Sequence, residues 1–439
     1  MRFRTWDSRF WMGLLLLFAA SLVGCEKRAE STEGVVVLNV LMEPDTTGIW
    51  RKLFAEFHER NPGIQIHHVE GPTATDARED LYTTSFLSGE SAYDLVYADV
   101  VWIPKFAAAG WLEDLTDRWS PSEWDRFISG SIEGSKYRGR IYRVPTQIDG
   151  AVLFYRKDLL AKAGERPPAT FDDLAQISQK LQHPPQLWGF VWQGKQYEGL
   201  ACDFLEVLIG YGGFWINPDT DQVGLDQPAG VAALTFLTDC VQKWKISPPG
   251  VTTYAEEQSR QLFQSGRAIF LRNWPYVWPL SQREESPIKG KVGLAPMPKS
   301  DDGRPASTLG GYGFAIAKSS HHQDAAWKFC EFISALPQIR RINQATAIQP
   351  ALKSFYENSP DPVQQAIYRV LQTTVPRPPV PQYAQASDIL QRYVSAALTG
   401  RLTPKQAMRG AASETRLLLR RTRTSKGRDS HAFPMAQLR

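Results

Sequence analysis

The stretch "GFVWQGKQYEGL", residues 189–200, sets Phe190, Trp192 and Tyr197 beside two glutamines, a lysine and a glutamate. A buried core segment would shed the charges, and a solvated loop rarely keeps three rings together. Aromatic faces next to hydrogen-bonding tips suit a ligand that is apolar on its flat side and polar around its rim, and a pyranose ring is the commonest such molecule. Tyr197 is expected to face that ligand, with Trp192 supporting it from behind. Two aspartates, Asp99 in "YAD" and Asp149 in "QIDG", bring matching chemistry. A carboxylate accepts from two vicinal hydroxyls through charge-assisted hydrogen bonds. Each also has a plainer reading, Asp99 as a helix cap ahead of "VVWIPKF" and Asp149 as part of an Asp-Gly turn. Trp274 and Tyr276 lie in "RNWPY", which has no helical or strand period and whose proline marks a loop. In "TLGGYG", Gly310 and Gly311 let backbone approach a ligand more closely than a β-carbon permits.

Two carboxylates beside aromatic platforms also describe a glycosidase, which holds one carboxyl protonated and the other ionised across the scissile bond. Nothing in the sequence separates an acid from a nucleophile, and no Gly-x-Ser-x-Gly elbow occurs, so the chain is expected not to be an enzyme. The seven histidines include no His-Glu-x-x-His and no Cys/His cluster. The adjacent pairs His67-His68 and His321-His322 fit a surface better, and neither metal nor cofactor is expected.

Alternating elements must position these residues. An apolar strand at 35–42 is followed by a helix whose face is Trp50, Leu53, Phe54 and Phe57, a stop at "NPG", and a second strand at 64–69. Such a βαβ unit lays down parallel sheet with a right-handed crossover. A helix near 78–87 then leads to the strand "YDLVYAD". Ligands in open α/β sheets sit outside the carboxyl ends of the strands, which places Asp99 where a ligand would lie. Residues 140–160 run from one strand, through 144–148, into another strand and a helix, with Asp149 at the crossing. Helices are expected to dominate 171–245, and strand-like "KVGLAPMP" and "GYGFAIAK" flank a Gly-rich turn.

The beginning of the chain points to a compartment. Arg2, Arg4 and Arg9 precede an uncharged apolar run at 11–20, and "LVGC" closes it at Cys25. That order is a secretory leader, since the apolar run is too short to span a bilayer. A body of 43% hydrophobic and 22% charged residues, longer than one hydrophobic core usually supports, suggests two lobes. Net charge is +4, but residues 416–428 hold six basic side chains, so the remainder is nearly neutral and offers no nucleic-acid surface. Those basic residues open a tail that composition assigns to a disordered, solvated end. Cys202, Cys240 and Cys330 are odd in number once Cys25 is set aside, which argues against a disulfide framework, and Cys240 and Cys330 lie on apolar helical faces.

Beyond these local readings, "DVVW", "YRKDLL", "GFVWQGKQYEGL", "KISPP", "RNWPY", "KGKVGLAPMP", "TLGGYG" and "VPRPPVPQY" follow one another over about 35–420. In that order they resemble the extracellular solute-binding proteins of ABC sugar importers, above all the trehalose/maltose-binding branch. The resemblance implies an α/β, two-lobed Venus-flytrap (periplasmic-binding-protein) fold with three hinge crossings, near Gln147, Gly311 and Ala345, and a sugar between the lobes. It implies a leader at 1–24, a lipidated tether at 25–34 with the lipid on Cys25, one lobe from 35–147 plus 311–345, the other from 148–310 plus 346–423, and a basic tail at 424–439. Asp99 and Asp149 match the family's sugar-binding aspartates, Trp274 and Tyr276 its aromatic platform, Arg377 in "VPRPP" an arginine that donates to the ligand, and Arg78 a further sugar-contacting arginine. Implied partners are a small sugar and the permease and ATPase subunits of an importer. The protein is expected to be a monomer held by its N-terminal lipid at the bacterial envelope, facing the periplasm or extracytoplasmic space, and to contact no nucleic acid.

Three positions depart from the pattern. Thr46 in "EPDTTG" stands where the family's disaccharide binders have a glutamate, with Glu43 and Asp45 close by; Gln147 replaces a tyrosine; and Tyr312 replaces the tryptophan after Gly-Gly. Together these imply an altered pocket, for a ligand such as glucosylglycerol or sucrose beside trehalose and maltose. A peptide or polyamine receptor on the same fold is the alternative that changes only the ligand.

Overall fold

The structure is a computed structural model that describes residues 34–89, 92–357 and 359–429. The expected leader, Cys25 and most of the tether lie outside these residues. The first lobe is built on a five-stranded sheet with spatial order Ile64–Glu70, Val36–Met42, Leu95–Asp99, Tyr312–Ile316, Val144–Pro145. Its first three strands are parallel, in register Val36↔Ile64 and Val40↔Leu95. The helix Ile49–Arg60 that crosses over between the first two buries Ile49, Trp50, Leu53, Phe54 and Phe57, the stripe its 3.6-residue period dictates, and gives way at Asn61 before Pro62. Two hydrophobic clusters cover the sheet, one on each face. That burial on both sides explains why "LVYA" ahead of Asp99 is apolar throughout rather than alternating.

Tyr312–Ile316 enters antiparallel to Leu95–Asp99 because the chain returns to this sheet from the other lobe. The second lobe has a four-stranded sheet ordered Val292–Ala295, Val152–Arg156, Ala268–Asn273, Trp188–Val191. Helices Phe171–Leu181, Glu198–Gly210, Pro228–Gln242, Tyr383–Leu398 and Pro404–Asp429 cover one face. The expected helical region thus contains a buried strand, and the residues 189–200 divide between that strand and the start of the helix at Glu198. Between the strands Val292–Ala295 and Tyr312–Ile316 the expected turn falls at 301–303, and the strand Ser307–Gly310 follows it.

Two expected boundaries need correction. Ala351, Leu352, Tyr356, Ile367 and Leu371 pack into the first lobe's core, so the stretch 351–356, expected in the second lobe from 346, sits with the first. The helix Lys353–Tyr356 buries Tyr356 against the first lobe, whereas the helix Pro362–Leu371 lies at the junction, with Ile367 and Leu371 on the first lobe's core and Val370 against the second lobe's. At the other end, the helix Pro404–Asp429 continues into the stretch 424–439 expected to be disordered. Among the described residues no helix is long and apolar enough to cross a membrane.

Candidate ligand-binding site

Between the lobes runs a three-stranded sheet, Thr374–Val375, Ser307–Gly310 and Asp149–Gly150, and its ladder decides which distant residues meet. Gly310 pairs with Asp149, and two residues further along the chain Tyr312 pairs with Asp99 in the first lobe's sheet. Asp149 therefore sits in a ladder and not in a two-residue turn. Gly311, between the two pairings, has φ +134, a backbone conformation that only glycine adopts without strain. A β-carbon there would lie 2.4 Å from Gln147 O, so its bareness serves the close approach of two hinge strands. Arg143 locks the junction from behind. Fully buried, it donates through Nη1 to Gly311 O at 2.9 Å and Ala98 O at 3.3 Å and through Nε to Ser135 Oγ at 3.1 Å, and burial pulls its guanidinium down to about 10.

A cavity of about 300 Å³ opens over this junction, lined from the first lobe by Asp99 and the turn at 73–76, and from the second by Tyr197, Glu198, Cys202, Glu256 and Trp274. Asp149, Gly310, Gly311, Tyr312 and Arg377 complete it at the hinge. Asp99 and Arg377 are both 5% exposed, and Arg377 Nη2 donates to Asp99 Oδ1 at 3.2 Å. Thr75 Oγ1 donates to the other oxygen at 3.1 Å, while Val101 N reaches Oδ1 at 3.3 Å, so Asp99 holds the turn that precedes the helix Ile103–Ala108, whose N-cap is Trp102, and faces the cleft. The other end of the Arg377 fork, Nη1, donates to Glu198 Oε1 at 2.7 Å; Glu198 in turn accepts from Ser387 Oγ at 2.6 Å and from the Tyr383 hydroxyl. One guanidinium thus ties a carboxylate of each lobe, and its own Nε is buried without a partner. Asp149 accepts from Gln147 Nε2 at 2.7 Å, and burial, aided by the charge of Asp99 and opposed by that hydrogen bond, pushes its carboxyl up to about 7.

The aromatic wall is Trp274 with Tyr197 and Tyr312. Trp274 Nε1 donates to Glu256 Oε1 at 3.4 Å. The buried Tyr197 hydroxyl has no hydrogen-bond partner and lies over Gly199, where a β-carbon would come within 2.1 Å of it. Burial first, then the Glu256 carboxylate, push that phenol upward. Trp192 is 1% exposed in the second core, its Nε1 donating to Ser247 Oγ at 3.1 Å.

Four expected site residues stand off the cavity lining. Arg78 is buried behind Tyr312, donating to the Tyr312 hydroxyl at 2.8 Å and to Pro72 O and Thr73 O, with Glu43 at 3.1 Å. Both Nη groups are already committed, which leaves it a support for Tyr312 rather than a wall. Tyr276 turns away after Pro275 and donates to Glu257 Oε1 at 2.7 Å. Thr46 is exposed in the turn after the first strand. Gln147 lies one hydrogen bond from the cavity, holding Asp149 and accepting from the Tyr97 hydroxyl at 3.2 Å. Sequence reasoning missed Thr75 and Glu256, and did not choose among Gln193, Lys195 and Glu198. A polar pair at 75–76 opening the helix Thr75–Leu87 was the one local signal for the first. The ion pair that singles out Glu198 spans 179 residues and leaves no local trace. Cys202, Cys240 and Cys330 are buried free thiols. Among the described residues no group of three or more His, Cys, Asp or Glu could hold a metal ion.

Comparison with known proteins sets this geometry in context. The family profile described as bacterial extracellular solute-binding protein matches residues 43–335. A probable ABC transporter-binding protein of Deinococcus radiodurans is 33% identical over 369 residues, covering 81% of this chain and 87% of that one. A maltotriose-binding protein of Pyrococcus abyssi is 26% identical, over 71% of this chain and 65% of its own. Among solved structures, the maltose-bound MalE3 of T. maritima superimposes with a TM-score of 0.79 at 38% identity, covering 88% of this chain and 100% of that one.

Proposed function

This chain belongs to the bacterial extracellular solute-binding proteins, and from that premise we propose that it captures a glucoside of the trehalose, sucrose, maltose or glucosylglycerol type between its lobes and delivers it to an ABC importer permease. The observation that carries this reading is a cavity to which both lobes contribute, with an indole and two phenols for the flat faces of a sugar and Asp99, Asp149 and Arg377 for its hydroxyls. The lobes close when ligand bridges them, and the closed form is what the permease and ATPase subunits recognise. Asp99, Asp149, Trp274, Tyr197, Tyr312, Arg377, Gly310 and Gly311 contact the sugar, with Gln147 and Arg78 holding Asp149 and Tyr312. Tyr276 and Thr46, named as candidates by the resemblance, have no part in this version of the site. The protein is a binder and not a catalyst. It works as a monomer anchored through a lipid on Cys25, a proposal that rests on the leader-like order of basic, apolar and small residues before that cysteine.

The carboxylates lining the cavity, Asp76, Asp99, Asp149, Glu198 and Glu256, face one lining cation, Arg377. That excess favours, as a second reading, a cationic solute such as a polyamine. Calorimetric titration with trehalose, sucrose, maltose, glucosylglycerol and spermidine, for wild type and Asp149→Ala, separates the two. Micromolar glucoside binding, about −8 kcal/mol, lost in the variant is the expected result. Heat with spermidine alone would replace the sugar by the amine.

A further inference from the structure

Beneath Trp274 lies a buried ion cluster that the roles assigned above do not use. Arg272, on the strand Ala268–Asn273, is fully buried, and its guanidinium carbon sits 4.2 Å from the centroid of the Trp274 ring. Every arm of the fork is engaged. Nε and Nη2 donate to the two Glu206 oxygens at 2.8 and 2.5 Å, Nη1 donates to Gln193 Oε1 at 2.8 Å, and Asp203 Oδ1 is 3.1 Å from Nε. Asp203 and Glu206 face it from one turn of the helix Glu198–Gly210, and both are buried. Glu206 Oε1 also accepts from Thr308 N at 3.0 Å, on the strand that ends at Gly310. Gln193 in turn donates to Ser259 Oγ at 2.7 Å and to Arg272 O at 3.0 Å. At the far edge of the indole, a β-carbon on Gly310 would lie 3.7 Å from Trp274 Cζ3, so the ring is bounded by the guanidinium and by the hinge strand.

A buried ion network is a weak way to gain stability, because well-packed apolar residues of similar volume often do as well or better. What apolar residues cannot reproduce is a planar cation fixed against an indole face. We propose that Arg272 is a positioning residue for the ligand platform: held by Glu206, Asp203 and Gln193, its guanidinium sets the plane in which Trp274 is presented to the cavity. This rests on the sugar reading, since stacking is what a fixed plane serves. It also gives the residues 189–200 a second role, for Gln193 belongs to the clamp while Tyr197 and Glu198 line the cavity.

The test measures affinity for the tightest-binding glucoside in wild type, Arg272→Lys, Trp274→Ala and the double variant, with near-ultraviolet circular dichroism of each unliganded protein. Lysine keeps the charge but not the planar fork. Arg272→Lys is expected to weaken binding about tenfold where Trp274 is present, and to change it by no more than about twofold in the Trp274→Ala background. The indole band obtained by subtracting the Trp274→Ala spectrum should be lost in Arg272→Lys. Equal weakening in both backgrounds, or an unchanged band, overturns the proposal; if Trp274→Ala binding is too weak to measure, the band decides. Should Arg272→Lys fail to fold, Glu206→Gln, which keeps the acceptor for Thr308 N, is measured in its place with a smaller loss in the same direction expected. A wild type that binds no glucoside removes the sugar reading, while the spectra still show whether Arg272 orients the ring.

Discussion

The Asp149 carboxyl is half-buried, is held by Gln147 and feels the charge of Asp99, and burial above all pushes it up to about 7. A carboxyl whose folded pKa is raised stabilises the folded protein while it stays protonated, so its contribution is complete below the ordinary carboxylate range and is lost as pH climbs toward the folded value. The melting temperature of the unliganded protein should therefore carry a decline between roughly pH 4 and 7 that Asp149→Asn removes, as read by thermal unfolding across that range. Ligand binding has the opposite sign. Sugar hydroxyls that donate to Asp149 favour the carboxylate, so affinity should rise as pH passes through about 7 and binding should release protons. Calorimetry in buffers of different ionisation enthalpy measures that release, and no release near neutrality would mean that Asp149 does not accept from the ligand. At this scale the residue types were legible, because carboxylates, indole and paired glycines advertise their chemistry. Their partners were not, since Gln147 for Asp149 and Glu198 for Arg377 emerge only from packing.

Among elements, the hinge strands carry the geometry. Ser307–Gly310 pairs with Asp149–Gly150 on one side and Thr374–Val375 on the other, and the chain then passes through Gly311 into the first lobe's sheet. Gly311→Ala forces a β-carbon to 2.4 Å from Gln147 O in a conformation that L side chains rarely adopt. It should destabilise the protein by about 1–3 kcal/mol in denaturant unfolding and weaken ligand binding through displacement of Asp149. A variant as stable and as tight as wild type would mean that the hinge backbone is free to shift. The strand Leu95–Asp99 was visible as a continuous apolar run and the helix Ile49–Arg60 in its apolar period, both of which depend on neighbours a few residues away. The short strands Asp149–Gly150 and Thr374–Val375 were not, because two-residue elements have no period and exist only through their ladder partners.

For the whole molecule, the Arg377 fork joins Asp99 of the first lobe to Glu198 of the second across the cavity, so the lobes communicate through the residues a ligand would contact. Saturating glucoside should lower the radius of gyration measured by small-angle X-ray scattering, and Trp274→Ala at the same ligand concentration should show no such change. A radius unmoved at full occupancy would sink closure as the signal to a permease. By itself the sequence determined the alternating strands and helices, the two cores, the family, and which residue types could meet a polyol, because period, composition and ordered motifs are properties of the chain as written. Only the tertiary structure decided which of those residues share a cavity. It set Asp99 beside Tyr312 and Asp149 beside Gly310, turned Tyr276 toward Glu257, committed Arg78 to Tyr312, and drew Ala351, Leu352 and Tyr356 into the first lobe's core. The physical reason is that ladder register between strands far apart in the chain, and the ion pairs across them, are fixed by the packing of both lobes at once and by no local run of residues.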